Sequence, residues 1–308
     1  MRNVFGILTV LFACGMTSCF TGIESTPKIS DKDLSRERIV VSDEDKYLAD
    51  VRPEPFKDWQ KGKLFFVTDK RINLALEPTS NPIPDNGDYL AYDHIREVPS
   101  LTGTIDTEIV LVDSHGREFA HRVNASPDEL ASRSKVDIPF TIDMSIVDRT
   151  KEMLTGKTLF LRTSMWFDSE GDAMSGLKYI PVEVIDVEPG NTVYPVKVKF
   201  RTKDYPESQP AYVFMSVGDS TKSARNFASL FYFNNPRKRY PQITDENWNY
   251  IIHSRVAPYM TREECRLALG SPASIDRHHG TNTYSERWNY ENGIYLIFDD
   301  GILRNFRK

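Results

Sequence analysis

The stretch KDWQKGKLFFVT at residues 57–68 recurs as KEMLTGKTLFLRT at residues 151–163, with one residue inserted in the second copy. In both copies a Gly-Lys pair precedes a short apolar run of the length expected for a β-strand. Chance similarity between two sets of hairpins is the competing explanation. We interpret the recurrence as an internal repeat, which predicts two tandem units of the same fold.

The segments that follow each copy also correspond. Residues 89–98 after the first copy loosely match residues 179–187 after the second. Residues 105–112 and 193–200 both alternate apolar with polar side chains, as half-buried strands do. A small all-β unit of four or five strands is most economical as an SH3-like barrel, because closure removes the exposed strand edges.

Helical patterns separate and follow these β units. Ser126-Pro-Asp-Glu129 indicates a helix start, and residues 146–154 form a second helical segment that Gly156 ends. Apolar residues from Ala224 to Phe231 at helical spacing predict a third helix, opening at Ser220 or Thr221. We assign the domains as SH3-like unit 1 (57–125), a helical linker (126–156), and SH3-like unit 2 with its packing helix (157–243).

The pattern changes at Thr244. Acidic residues follow Thr244 at the start of one helix, and Thr261-Arg-Glu-Glu264 forms the capping box of another. Three strand-like segments follow, and the Asp299-Asp300-Gly301 turn predicts a hairpin between the last two. Residues 244–308 are therefore predicted to form a separate α+β domain.

This last segment resembles the BamE/SmpA/OmlA-like family. The shared pattern reads Met260-Thr261…Glu264…Leu269-Gly270-Ser271-Pro272, then Trp288-Asn289-Tyr290, then Phe298-Asp299-Asp300-Gly301-Ile302-Leu303. The resemblance implies two helices packed on a small antiparallel sheet, in a lipoprotein of the Gram-negative outer membrane. The Gly that often precedes Met-Thr in that family is Tyr259 here. The expected fold class is thus mainly β with α+β: two SH3-like barrels followed by a BamE-like domain.

The N-terminus has the composition of a secretory signal peptide, residues 1–18. Arg2 is followed by an apolar run to Phe12 and then by small residues. Met16-Thr17-Ser18-Cys19 resembles a bacterial lipoprotein cleavage site, which would make Cys19 the acylated first residue. Cys14 is the alternative lipidation site, and an ordinary cleaved signal with incidental cysteines is a third possibility. The polar residues 19–56 then predict a flexible tether.

These features predict a location and a partner. The whole chain also resembles an envelope lipoprotein type, and no acidic pair follows Cys19, so we expect lipid anchoring in the outer membrane with the protein facing the periplasm. A net charge of −5 argues against nucleic-acid binding. The expected partners, besides the membrane itself, are envelope proteins or peptidoglycan.

No catalytic or metal-binding pattern stands out in the sequence. Cys265 is the only cysteine outside the N-terminal segment, so neither an internal disulfide nor a cysteine-based zinc site is available to the folded part. We expect a non-enzymatic protein without a cofactor or a metal. Trp166, Phe167 and Tyr179 are the candidate ligand groove on the second β unit, with packing into the core as the alternative for these aromatics. The function predicted is scaffolding or protein binding, with peptidoglycan or peptide binding by the barrels as the alternative.

Overall fold

The computed structural model describes residues 42–100, 103–204, 207–218, 225–279, 284–291 and 293–307. Sixteen strands in three antiparallel sheets dominate this part of the chain, and six short α-helices accompany them. The expectation of a mainly β protein is confirmed. No helix among the described residues combines the length and the apolar character needed to cross a membrane.

The first sheet, which with its helices we call module 1, has the strand order β4-β3-β2-β1-β5. Its strands are β1 (Leu64–Val67), β2 (Tyr89–Pro99), β3 (Ile105–Val112), β4 (Glu118–Val123) and β5 (Thr141–Asp143). Helix α2 (Pro127–Ser132) connects β4 to β5 and begins after Ser126, as the sequence predicts, and the structure adds a capping box between Ser126 and Glu129. Strand β5 returns to pair with β1, so four sequential strands and one returning strand form the sheet.

The second sheet defines module 2 and has the order β12-β6-β9-β10-β11-β7-β8. Its strands are β6 (Thr158–Leu161), β7 (Met165–Phe167), β8 (Ala173–Ser175), β9 (Pro181–Pro189), β10 (Val196–Thr202), β11 (Ala211–Met215) and β12 (Phe231–Tyr232). Helix α3 (Met144–Leu154) precedes β6, and α4 (Phe227–Leu230) precedes β12. Without the inserted β7–β8 hairpin, the strand order is that of module 1.

The repeated Gly-Lys pair occupies the same place in both modules. Gly62 donates to the carbonyl of Tyr92 (2.7 Å), and Gly156 donates to the carbonyl of Val184 (2.9 Å). Both glycines have positive φ, which glycine adopts without strain. If the two modules are aligned on these hydrogen bonds, Tyr92 corresponds to Val184 and Tyr89 therefore to Pro181. The sequence prediction, which matched residue 89 with residue 179, was wrong by two residues.

A β-bulge bends the second strand of each module. The pairing of β2 with β3 shifts between Tyr92 and His94, and that of β9 with β10 shifts beside Phe200. A bulge of this kind increases local twist and bends the strand. The sequence repeat is therefore matched by a repeat in topology and in a local irregularity.

The C-terminal module consists of two helices and a four-stranded sheet. Its elements are α5 (Asp245–Ile252), α6 (Arg262–Leu269), β13 (Ser274–His279), β14 (Tyr284–Asn289), β15 (Tyr295–Asp299) and β16 (Ile302–Arg307), with the strands paired in sequential order. The capping box at Thr261 and the turn at Asp300-Gly301 are present as predicted, with both turn residues at positive φ. Trp288, Leu296 and Phe298 lie in its buried core. Strand β13 was missing from the sequence prediction.

The predicted tether is wrong from residue 42 onward. A capping box at Ser42 begins helix α1 (Asp43–Lys46), and the buried Leu48 and Val51 pack into the core that module 2 forms. Phe56 packs into the core of module 1. The polar composition of this segment concealed a few apolar residues that bury almost completely. The signal peptide, Cys14, Cys19 and residues 19–41 lie outside the described residues.

Two helical predictions also need correction. Residues 126–156 are not a separate linker, because Leu130 and Ile138 are buried in module 1 whereas Val147 and Leu154 are buried with module 2. The predicted third helix covers only Phe227–Leu230 of the described residues, since Phe231 begins β12 and pairs with Leu161. Phe231 is fully buried there, so strand pairing overrides its helical spacing. The predicted start of this helix lies outside the described residues.

Candidate binding groove

A groove with a volume of about 910 Å³ lies where module 2 meets the C-terminal module. Ligand pockets in proteins typically have volumes of about 300–1,000 Å³. We call this surface the groove and define it by its lining side chains: the basic Arg162, Lys178, Arg262 and Arg266, the acidic Glu263, the aromatic Tyr179, Tyr232 and Tyr240, and several serines and Thr163. Basic side chains thus outnumber acidic ones four to one, in a chain whose net charge is −5.

Lys178 joins the connection before β9 to both helices of the C-terminal module. Its backbone N–H donates to the carbonyl of Ile252, the last residue of α5, at 3.0 Å. Its Nζ donates to the carbonyl of Ala268 in the last turn of α6. The residue is only 7% exposed, and burial lowers the pKa of its ammonium group to about 8. The two helix ends place negative partial charge beside this cation.

Tyr179 is fixed next to Lys178. Its hydroxyl donates to the carbonyl of Leu267 at 3.3 Å, and its ring lies 5.6 Å from Trp248 and 6.3 Å from Tyr232 between centroids. Its backbone φ of 60° lies in the left-handed region that non-glycine residues rarely adopt. Burial raises the pKa of the Tyr179 phenol. The ring is therefore held in place by neighbours on both modules.

Several arginines lie over aromatic rings in or beside the groove. The guanidinium carbons of Arg162 and Arg239 lie 4.4 Å and 5.1 Å from the ring centroid of Tyr232, and that of Arg266 lies 5.0 Å from the ring of Trp288. Such cation–π contacts hold the guanidinium plane while leaving its edge donors accessible. Arg162 also donates to the carbonyl of Ala228.

Arg262 differs from these arginines because its charge is balanced. Its Nε lies 2.8 Å from Oε2 of Glu286, an ion pair without hydrogen-bond geometry. Glu286 is buried, accepts a hydrogen bond from the Trp288 indole (3.1 Å), and pairs with Arg277 at 3.4 Å. Within the part of the chain that the structure describes, Arg162, Lys178, Arg239 and Arg266 have no carboxylate within 4 Å. The groove therefore carries excess positive charge.

The three predicted groove residues are not brought together. Trp166 is buried against Phe200, with ring centroids 5.2 Å apart, and thus belongs to the core of module 2. Phe167 follows it in β7 and packs against Phe214 at 4.9 Å. Only Tyr179 lines the groove. The alternative interpretation, packing into the core, is correct for Trp166. Phe167 lies on the other face of β7, because successive residues of a strand point to opposite faces.

Several polar side chains outside the groove have local structural roles. Asp168 accepts the backbone N–H of Asp172 (2.8 Å) in the turn between β7 and β8, and the Nδ1 of His121 lies 2.7 Å from the carbonyl oxygen of Ala75. Cys265 is fully buried on α6, and burial raises the pKa of its thiol to about 12. Among the described residues, no group of three His, Cys, Asp or Glu side chains could hold a metal ion.

The chain matches no protein-family model, no curated protein and no solved structure. The groove was also missing from the sequence prediction, although one sequence feature pointed to part of it. The basic run Pro236-Arg-Lys-Arg-Tyr240, which is visible in the sequence, contains Arg239. Arg162, Lys178 and Arg266 had no pattern that could single them out.

Proposed function

We propose that this protein is a non-enzymatic binding protein of the bacterial envelope, anchored by acylated Cys19 at the periplasmic face of the outer membrane. The groove is the observation that carries the binding function. Three of its side chains, Arg162, Lys178 and Tyr179, are held by hydrogen bonds to backbone carbonyls. Because fixed side chains lose little freedom on association, such an arrangement favours binding.

The fold supports a scaffold of three modules. In module 1, four sequential strands, a bulged second strand and a returning fifth strand support the proposal of an SH3-like barrel. Module 2 supports the same proposal, because its strand order and its bulge match those of module 1 once the inserted β7–β8 hairpin is set aside. In the C-terminal module, two helices against an antiparallel sheet support the proposed BamE-like fold. Fold likeness alone does not specify a function, so the binding role rests on the groove.

The test of this function combines fractionation with crosslinking in cells. We expect Cys19→Ala to move the protein from the membrane fraction to the soluble fraction, whereas the matched Cys14→Ala variant stays in the membrane. Photo-crosslinking from Ser271, which lines the groove, is expected to capture an envelope protein, and crosslinking from the exposed Ser114 serves as the control. Membrane retention of the Cys19→Ala variant would contradict the anchor, and equal capture from both positions would contradict the groove.

Binding of peptidoglycan is the second candidate function. The rings of Tyr179, Tyr232 and Tyr240 in the groove favour it, because aromatic faces can pack against apolar faces of a ligand. Sedimentation with purified sacculi tests it directly. If the sacculi retain the wild-type protein but not the Tyr232→Ala variant, the result would support wall binding in place of a purely scaffolding role.

A further inference from the structure

We propose that the groove binds a short acidic peptide segment of a partner protein. Carboxylates of the peptide would pair with the guanidinium groups of Arg162, Arg239 and Arg266. This inference rests on the proposed binding function and specifies the chemistry of its ligand.

The stacked arginines are the first support for this ligand. Arg162 and Arg239 lie against the ring of Tyr232, and Arg266 lies against Trp288. A carboxylate accepts two parallel N–H donors from the edge of a guanidinium group. Arg239 and Arg266 are exposed, whereas Arg162 is half-buried and already donates one N–H to the carbonyl of Ala228. None of these three arginines is paired with a carboxylate among the described residues, so each can form an ion pair with a carboxylate of the ligand.

Lys178 supplies the second support. This ammonium lies in the lining of the groove at 7% exposure, with one of its donors directed to the carbonyl of Ala268. A buried charge without a counter-ion is unfavourable, because water no longer solvates it. A ligand carboxylate in the groove would supply the missing negative charge, so binding would relieve a cost that the free protein carries.

The charge distribution favours a short anionic segment over a long polyanion. The chain as a whole carries a net charge of −5, so the attraction is limited to the groove and its edge. Opposite charges more than about 10 Å apart interact little at a salt concentration of ~0.1 M. The groove lining also includes Ser164, whose hydroxyl can accept from or donate to a peptide backbone.

The experiment measures peptide binding to the full-length lipidated protein in a non-ionic detergent. Fluorescence anisotropy would compare a labelled peptide of alternating Glu and Ser with the matched Gln/Ser peptide. We expect saturable binding of the Glu peptide that weakens as salt is added, and at least tenfold weaker binding of the Gln peptide. Equal binding of the two peptides, or no binding of either, would overturn the proposal.

Competition and matched variants locate the site. Arg266→Glu and Arg239→Glu should each weaken Glu-peptide binding by about tenfold or more. Arg201→Glu, the same charge reversal at an exposed position of β10 outside the groove lining, should change it little. Circular dichroism melts would show that each variant folds. An equal loss of Glu-peptide binding in all three variants would overturn the proposal. Complete displacement of the Glu peptide by muropeptides or inorganic phosphate, added at concentrations below that of the peptide, would also overturn it.

The outcomes separate this inference from the proposed function. Partner capture from Ser271 without binding of the Glu peptide would leave a binding protein whose ligand is not an acidic peptide. If the protein binds the Glu peptide but the wild-type chain is found in the soluble fraction, the acidic-peptide ligand stands and the lipid anchor is rejected.

Discussion

Lys178 connects more of the molecule than any other basic side chain of the groove. Its backbone N–H and its Nζ reach the carboxyl ends of α5 and α6, so one residue of module 2 satisfies carbonyls of both helices. The last carbonyls of a helix lack partners within the helix, and a cation there is favoured by the helix dipole. Burial acts against the charge, and it dominates in lowering the pKa of Lys178 to about 8.

This shift predicts a pH dependence of stability. Because the folded-state pKa is about 8 and the ordinary value is 10.5, the unfolded chain binds more protons between these pH values, and the free energy of unfolding rises with pH there. We expect wild-type protein to gain up to about 3 kcal/mol over this range relative to Lys178→Met. Denaturant unfolding across the pH range measures the difference. Lys238→Met, at an exposed position, should keep the wild-type slope; an equal slope in Lys178→Met would contradict the prediction.

Cys265 offers a second prediction at a single residue. Burial raises the pKa of its thiol to about 12, and the side chain has no solvent exposure. Since the thiolate is the reactive form, we expect iodoacetamide at pH 8 to leave Cys265 unmodified in the folded protein and to alkylate it in denaturant. Peptide mass spectrometry reads out the modification. Ser114→Cys, on an exposed turn, should react in the folded state; equal labelling at both positions would contradict the burial of Cys265.

Elements with strong local patterns could be predicted from the sequence. The helix start at Ser126, the capping box at Thr261, the Asp300-Gly301 turn and the strands after each Gly-Lys pair are all present, since each depends on residues close in sequence. The returning strands β5 and β12 are only three and two residues long, which is too short for alternation to show. They form because a free edge of β1 or β6 is available to pair.

The groove could not be predicted for a related reason. Arg162, Lys178 and Arg266 lie far apart in the chain, and each looks like an ordinary surface cation in its local sequence. These three side chains line the same groove only because module 2 packs against α5 and α6. The aromatic pattern at Trp166 and Phe167 suggested a different surface, because sequence alone does not tell which face of β7 is buried.

The capping boxes at Ser126 and Thr261 predict a graded effect on stability. In α6, Glu264 is buried and also accepts from Asn247 of α5 (2.8 Å), whereas Glu129 in α2 is exposed. We therefore expect Ser126→Ala to lower the free energy of unfolding by about 1 kcal/mol and Thr261→Ala by up to about 2 kcal/mol. Thermal unfolding would report both. A larger loss for Ser126→Ala would mean that the buried contacts of Glu264 do not depend on the cap.

At the scale of the whole molecule, residues 42–56 bind the modules together. The segment contributes Leu48 and Val51 to the core that module 2 forms, and its end contributes Phe56 to module 1. Tyr47 also donates from its hydroxyl to the carbonyl of Met153 on α3, at 2.8 Å. A segment with these contacts positions the modules, so any freely moving tether must end before it.

The strongest test of that conclusion compares two leucines. Leu48 is 3% exposed and Leu74 is 76% exposed. Truncating a buried leucine removes apolar contacts and leaves a cavity, so we expect Leu48→Ala to lower the free energy of unfolding by about 2–5 kcal/mol. Leu74→Ala should change it by less than about 0.5 kcal/mol, as surface substitutions do. Chemical denaturation measures both values. If the two variants were equally stable, the packing of Leu48 would contribute nothing to the stability of the fold, and residues 42–56 would behave as the tether that their composition first indicated.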